Sequence, residues 1–400
     1  MADNHGERLS IGKIRVTQTA GESRVEALVD GTPLWFASPD ASFRVSSEGF
    51  LSAMLLPAMT TRRPLAAIDA ACDVWLDNVG GAIDLFRQFR RLDAIDVIAP
   101  RLASVAATPP AGAAPGTESS RSRIALAFSG GVDSFHTLLR YERPIESLVY
   151  VEDYDMPSNG KSWSGRFDRW LRAIGDETGK RTILVRTNLK RHPAFRGTSW
   201  YDAHGACLAA VGHLLADHFD TLVLSSSLPR EWNAFCGTHW TLDPLWSSAR
   251  LQVTSFGEPT RSEKLVDIAA ERLVQRMLRC CWENLNDRMN CGECEKCLRT
   301  EVILASAGHL EKFSVFAHPV PLAERVARLR CIRAVDIFQY KEWALNVGSP
   351  DDLSREVAKL LARSQRLAEW RGFRGRVSER WRSLKQSLPS LFGRRRQAVC

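Results

Sequence analysis

Residues 124–134 read Ile-Ala-Leu-Ala-Phe-Ser-Gly-Gly-Val-Asp-Ser, and a helical pattern through Leu138-Leu139 follows at once. A short apolar run stopped by glycine reads as a buried strand. Leu148–Val151, Thr182–Val185, Thr221–Leu224 and Leu251–Ser255 are further strand candidates, with a helical stretch at Cys207–Ala216 among them. Strands alternating with helices imply a parallel sheet joined by right-handed crossovers. The expected fold class is therefore α/β, a parallel sheet with flanking helices. Ligands of such sheets sit at the carboxyl ends of the strands. That brings Ser129–Ser134, Glu152–Tyr154 and Ser225–Ser227 around one crevice.

The chemistry of the stretch Ser129, Gly130, Gly131, Val132, Asp133, Ser134 points to phosphate. Adjacent glycines let the backbone approach an anion and aim successive N–H groups at it. The helix N-terminus behind them adds partial positive charge. Ser129 and Ser134 can donate hydroxyl hydrogen bonds to phosphate oxygens. Asp133 would repel phosphate, so it is expected to hold Mg²⁺ or to orient the loop. A plain βα turn with a Ser/Asp cap uses similar residues, but not this whole string. The lysine of the Walker A loop is missing, which argues against a γ-phosphate hydrolase of that kind.

Cysteine usage gives a second signal. Five of the ten cysteines, Cys280, Cys281, Cys291, Cys294 and Cys297, fall within eighteen residues. Four thiolates close a tetrahedral Zn²⁺ shell, with Gly292 permitting the tight knuckle between Cys291 and Cys294. Cys281 is the expected fourth ligand, with Cys280 as the alternative. An iron–sulfur cluster would use the same donors. A full Cys₄ shell leaves no open position, so the metal would be structural. Such a cluster, behind a polar N-terminus without an apolar signal core, suits a reducing cytoplasmic setting.

Ser129-Gly-Gly-Val-Asp-Ser134 resembles the SGGxDS loop of the PP-loop ATP pyrophosphatases, whose core is adenine nucleotide α-hydrolase-like (HUP-like). Cys291-Gly-x-Cys294-x₂-Cys297, with flanking Trp282, Asn290 and Glu295-Lys296-Cys297-Leu-Arg-Thr, is similar to the zinc motif of the 7-cyano-7-deazaguanine synthase family. The likeness covers about residues 123–305. It implies cleavage of ATP to AMP and pyrophosphate, adenylation of a carboxylate-type small-molecule acceptor, and displacement by ammonia. ATP, Mg²⁺ and Zn²⁺ are the implied cofactors. Lys264, at the start of a helical stretch with Arg261, is similar to that family's lysine near the phosphates. Either cation would stabilise charge developing on the α-phosphoryl group. Both also read as solvated charges of a helix's first turn.

Beyond this core, residues 1–103 alternate like strands at Ile11–Val16, Val25–Leu28 and Leu34–Phe36. Asp30-Gly31 makes a turn, and helical periodicity follows near Ile68–Trp75 and Ala82–Phe89, so a small N-terminal α+β domain is expected. Residues 104–122, rich in Ala, Pro, Gly and Ser, read as a linker. The core with its zinc knot is expected over 123–310 and a helical, basic C-terminal arm over 311–400. In that arm Trp370, Phe373, Val377, Trp381, Leu384, Leu388 and Leu391 recur at helical spacing, broken near Pro389.

Residues 371–400 hold nine Arg and Lys against one Glu, a surplus equal to the chain's net charge of +8. The first 370 residues are formally neutral, which disfavours a nucleic-acid-coating surface. The arm's apolar stripe through Trp381 is expected to pack against the core with its arginines in water; anionic membrane, RNA, a protein partner or a second copy would otherwise be met there. No stretch of about 18 apolar residues predicts a spanning helix.

His204-Gly205, His239, Asp243 and Ser247 are candidates for acceptor binding or acid–base work, and Trp240 and Trp246 for a flat wall. Each also reads as a cap, surface or core residue. Two other functions use the same loop. Sulfur transfer to a tRNA base or small molecule would need a reactive thiol, with Cys236 and Cys207 the candidates. A catalytically silent nucleotide-binding module would need none.

Overall fold

Two neighbouring residues with positive φ, Asp30 (47°) and Gly31 (76°), turn the N-terminal segment of the computed structural model into a tight hairpin. The structure describes residues 8–103, 123–154, 161–285, 288–332 and 351–387. The first short strands are β1 (Leu9–Ile11) and β2 (Arg15–Gln18), and the hairpin joins β3 (Ser23–Val29) to β4 (Thr32–Ser38). The single strand expected over Ile11–Val16 is thus two. β1 pairs with β3 at Ile11↔Val29, while β2 pairs with β3 from Arg15↔Glu26 onward.

Helix α1 (Ser47–Thr61) opens on the Ser46 cap, whose hydroxyl accepts from the Gly49 amide at 3.3 Å, and is buried on all sides. β5 (Leu65–Ala67) and β6 (Ala71–Cys72) follow, and helix α2 (Asp73–Arg90) begins only then. The helix expected near Ile68–Trp75 is therefore extended over its first half. The Asp69 carboxylate accepts from Ile14 N–H at 2.7 Å and Glu48 accepts from Cys72 N–H at 2.5 Å, holding that connection open. β7 (Val97–Ile98) and β8 (Arg101–Leu102) close the segment. The expected linker 104–122 lies outside the described residues.

The α/β alternation then runs as expected: β9 (Ile124–Ala127), α3 (Val132–Arg140), β10 (Ser147–Val151), α4 (Lys161–Thr178), β11 (Arg181–Thr187), α5 (Trp200–Leu214), β12 (Thr221–Ser225), β13 (Gln252–Phe256), α6 (Arg261–Ile268) and α7 (Arg272–Met277). One eleven-stranded sheet has the order β13-β12-β9-β10-β11-β4-β3-β1-β5-β7, with β2 beside β3. From β13 to β11 every pairing is parallel. β4 joins β11 antiparallel at Thr187↔Phe36, so the N-terminal strands extend the same sheet. The sheet is large and mostly parallel, and helices flank it.

Each face of the parallel half carries its own core. Ile124, Leu126 and Phe128 point to one that takes in α3, α4, α6 and α7, while Ala125 and Ala127 point to the other, under α1 and α5. A glycine on α1 lets α5 approach closely. A Cβ on Gly49 would stand 2.9 Å from Leu214 and 3.1 Å from the Ala210 carbonyl oxygen. The N-terminal segment and the α/β unit thus share a core as well as a sheet.

Beyond α7 come α8 (Glu295–Ser306), α9 (Leu322–Arg328) and a long helix α10 (Asp352–Ser387). Val357, Leu360 and Leu361 of α10 pack on Leu298 and Val302 of α8 and on Val326 of α9. Of the apolar stripe expected in the arm, Trp370 is 55% exposed; the side chains beyond it lie outside the described residues. No helix among the described residues is long and apolar enough to cross a membrane.

His213 of α5 is buried beneath α1, its Nε2 2.8 Å from the Trp246 carbonyl oxygen. Burial holds its imidazole below the ordinary value despite the pull of Glu48. The unfolded chain therefore binds the extra proton first, and this contribution is present above about pH 6.5 and declines as pH falls below it. The denaturation midpoint should drop between pH 7.5 and 5.5, with a shallower slope in His213→Gln. Equal slopes would remove His213 from the account.

Candidate functional site

The phosphate-loop candidate sits where β9 gives way to α3, and packing dictates its glycine. Gly130 has φ +73°, and a Cβ there would lie 2.1 Å from the Trp170 ring. Gly131 is the extended N-cap of α3. Ser129 Oγ accepts from the Gly131 amide at 3.3 Å, and Ser134 Oγ donates to the Gly131 carbonyl at 3.0 Å. From outside, the Arg279 main-chain N–H donates to the Gly130 carbonyl at 2.9 Å.

Asp133 faces two cations. Arg261 donates to its Oδ2 from Nε (3.1 Å) and Nη2 (2.5 Å), and Lys264 Nζ lies 3.3 Å from Oδ1. Lys264 also donates to the Ser226 carbonyl at 2.6 Å. The local sequence explains the delivery. Thr260 and Glu263 form a capping box that starts α6, putting Arg261 in its first turn and Lys264 three residues on. Burial alone would raise the Asp133 pKa, but the charges of Arg261 and Lys264 outweigh it and hold the carboxyl well below the usual range. Burial draws Lys264, 1% exposed, below the ordinary lysine value, with Asp133 opposing. Both carboxylate oxygens already meet cations, and Mg²⁺ there would have to displace one. Of the two roles expected for Asp133, the geometry matches orientation of the loop.

Above these residues lies a cavity of about 320 Å³. Its floor is apolar, from Ala127, Val149, Val151 and Leu224, and its rim includes Ser129, Gly131, Val132, Asp133 and Ser134. Ser225, Ser227 and Arg261 join from β12 and α6. In chain order β9 to β13 form a 3-2-1-4-5 sheet, whose order reverses between β9 and β12. The cavity opens at the carboxyl ends of those two strands, where doubly wound sheets bind ligands. Arg261 reaches the cavity. Lys264 is a buried strut behind it.

The remaining expectations divide. Tyr154 and His204 line the cavity, together with Trp200 and Tyr201 of α5. Glu152 and Asp153 instead pair with Arg186 (3.2 Å) and Arg191 (2.8 Å). His239, Asp243 and Ser247 are outside its lining. His239 lies between Thr241 (2.6 Å) and Asn233 (3.1 Å), and Ser247 Oγ accepts from Val253 N–H at 2.9 Å. Asp243 is fully buried, and burial pushes its carboxyl up to about 8. Trp246 is core, and Trp240 is 41% exposed with Arg230 stacked on its ring. Burial raises the pKa of both Cys207 and Cys236, of which Cys236 lines the cavity.

The cavity's remaining wall comes from the cysteine knot. Cys281, Cys291, Cys294 and Cys297 are buried, with their Sγ atoms all within 4.8 Å of one another. The Cys281–Cys294 and Cys291–Cys297 separations are each 3.9 Å. Tetrahedral Zn–S bonds of about 2.3 Å put thiolates about 3.8 Å apart. Main-chain N–H groups of Asn284 and Cys294 approach the Cys281 and Cys291 sulfurs, each at 3.3 Å, as thiolates require. The set fits a metal such as zinc. Cys280, the alternative ligand, falls outside this mutually close set: its Sγ lies 4.0 Å from Cys297 Sγ and 3.6 Å from Asn290 Oδ1, and it lines the cavity.

Asn290 Oδ1 accepts from both Cys280 and Cys281 amides (2.8 and 3.2 Å), tying the two halves of the knot. Gly292, with φ +72°, gives its carbonyl to Arg325 Nη1, and Arg325 forms a buried two-pronged pair with Glu301 of α8 (2.9 and 2.6 Å). From this knot α8 projects Lys296, Arg299 and Thr300 into the cavity, beside Trp282. In the sequence these three merely flank the cysteine motif. Their i, i+3, i+4 spacing marks one helix face and was the available signal.

No family model matches the chain, and neither a curated protein nor a solved structure does. The geometry itself is testable. Cys281→Ser should lose nearly all bound zinc and lower the melting temperature, whereas Cys280→Ser should keep about one equivalent by elemental analysis. Loss in Cys280→Ser alone would reverse the ligand assignment.

Proposed function

We propose that the chain is an AMP-forming ATP pyrophosphatase of the PP-loop kind with a HUP-like core, adenylating a carboxylate-type acceptor for attack by ammonia. The observation that carries this reading is the meeting of Ser129–Ser134 with Arg261 at one cavity over the point where the sheet order reverses. In this reading the loop amides and the Ser129 and Ser134 hydroxyls hold the departing pyrophosphate. The apolar floor takes the adenine. Arg261, fixed by Asp133, faces charge building on the α-phosphoryl group without having to reorganise. Lys264 keeps Asp133 in place. Zinc supplies no step; it holds the α8 wall.

On the far side of the cavity stand Lys296 and an Arg299 paired with Glu295 at 3.5 Å, a wall able to receive a carboxylate acceptor. Sulfur transfer gains no support from Cys207 and Cys236, since burial holds both as protonated thiols, poor nucleophiles. The acceptor site has room beside the loop, toward Trp200, Tyr201 and His204.

The test is ATP turnover by zinc-loaded protein with ammonium and a pooled carboxylate library, resolving AMP, ADP, pyrophosphate and phosphate. AMP plus pyrophosphate is expected. Arg261→Met should lower the rate by about 10²–10³-fold, the usual effect of removing a group that stabilises developing charge. Gly130→Ala should lose ATP binding, because its Cβ cannot coexist with Trp170. ADP plus phosphate would overturn the reading, and ATP binding without turnover under every acceptor would favour the silent module.

A further inference from the structure

Helix α10 outruns the core that anchors it. Its first half is fixed: Val357, Leu360 and Leu361 pack on α8 and α9, the Ser364 hydroxyl accepts from Ile332 N–H at 2.9 Å, and Arg363 donates to the Arg330 carbonyl at 2.7 Å. Ser364, 2% exposed, is the last buried residue of α10 among those described. Leu367 and Trp370 already stand 36% and 55% exposed, yet the helix runs on to Ser387. At 1.5 Å per residue, the stretch 365–387 is about 35 Å of helix beyond Ser364.

The sequence of that stretch has two sides. With about 100° between successive helical residues, positions 370, 373, 377, 381 and 384 fall within an arc of about 80°. They hold Trp370, Phe373, Val377, Trp381 and Leu384. Arg371, Arg374, Arg382 and Lys385 take positions along one border of the arc, and Arg376 and Arg380 along the other. Glu379 takes a position opposite it. An apolar arc with basic borders narrows the choice of partner. RNA would meet the arginines and leave the arc in water. A second copy would cover the arc but bring together two arms that each carry nine Arg and Lys against one Glu over residues 371–400. An anionic bilayer surface satisfies both sides: apolar residues enter the headgroup–acyl boundary, and the basic borders meet the lipid anions. Charges on both borders keep such a helix in the plane of the interface. We propose that α10 from position 370 onward docks the chain on an anionic lipid surface.

The experiment is sedimentation of the full-length zinc-loaded protein with vesicles of phosphatidylcholine alone and with vesicles that also contain phosphatidylserine, at low and high salt. Binding to single-stranded RNA is measured alongside. The double variants Arg380→Gln/Arg382→Gln and Trp370→Ala/Trp381→Ala are compared with the parent. Both should keep its zinc content and melting temperature, since the substitutions lie beyond Ser364. The parent should bind the phosphatidylserine vesicles at least about tenfold more tightly than phosphatidylcholine, and lose most of that margin as salt screens the charges. The arginine variant should lose about tenfold or more on phosphatidylserine at low salt. The tryptophan variant should bind more weakly at both salt concentrations. Equal binding to the two kinds of vesicle, or binding to neither, would overturn the proposal. So would a tryptophan variant that keeps the parent's affinity for vesicles and RNA alike, the behaviour of an arm that acts by charge alone. A parent that dimerises without vesicles, and whose dimer is lost in the tryptophan variant while vesicle binding is absent, would assign the arc to a second copy.

Discussion

The joint on which this site depends is the Asp133 carboxylate held between Arg261 and Lys264. It ties α3, and so the loop in front of it, to α6, and through the Ser226 carbonyl to the end of β12. Three elements remote in sequence are thereby set against one another by a single acidic side chain. Removing one partner of such a buried cluster typically costs about 3–5 kcal/mol, since the remaining charges lose their compensation. The cluster also decides roles. Arg261 is left on the cavity, while Lys264 is spent on Asp133 and Ser226 and stays behind the wall.

The cysteine knot does for the far wall what Asp133 does for the near one. Its four sulfurs, the Asn290 side chain and the Arg325–Glu301 pair fix where α8 begins, and that start aims Lys296, Arg299 and Thr300 at the loop. The N-terminal segment takes part as well. Arg90 of α2 bonds Asp202 of α5 and the Phe235 carbonyl, and Phe89 stacks on Phe235 at 5.0 Å. That contact seats the first turn of α5, where Trp200, Tyr201 and His204 meet the cavity. A segment without any motif thus shapes the side of the cavity away from the phosphate loop.

What could be read in advance was local chemistry. The Gly130-Gly131 turn, the Thr260/Glu263 capping box and the Cys-x₂-Cys-x₂-Cys spacing each express a requirement met within a few residues, so each is visible in the chain. α1 was not legible, because a helix buried on all sides has no polar face and hence no period to detect. The stretch from Ile68 has helical periodicity yet is not helical before Asp73, because the contacts that hold it, through Asp69 and Glu48, reach back tens of residues.

By itself the sequence determined the strand–loop–helix at Ser129–Ser134, the parallel α/β alternation around it and the ligand set of the knot, apart from the choice between Cys280 and Cys281. These follow from backbone sterics, periodicity and donor spacing, all of which act over short range. Only the tertiary structure decided that Cys281 enters the knot while Cys280 faces the cavity, and that Asp133 holds cations. It likewise decided that the N-terminal strands extend the sheet. Those outcomes depend on which distant side chains share a buried space, and burial is a property of the packed chain rather than of any stretch of it.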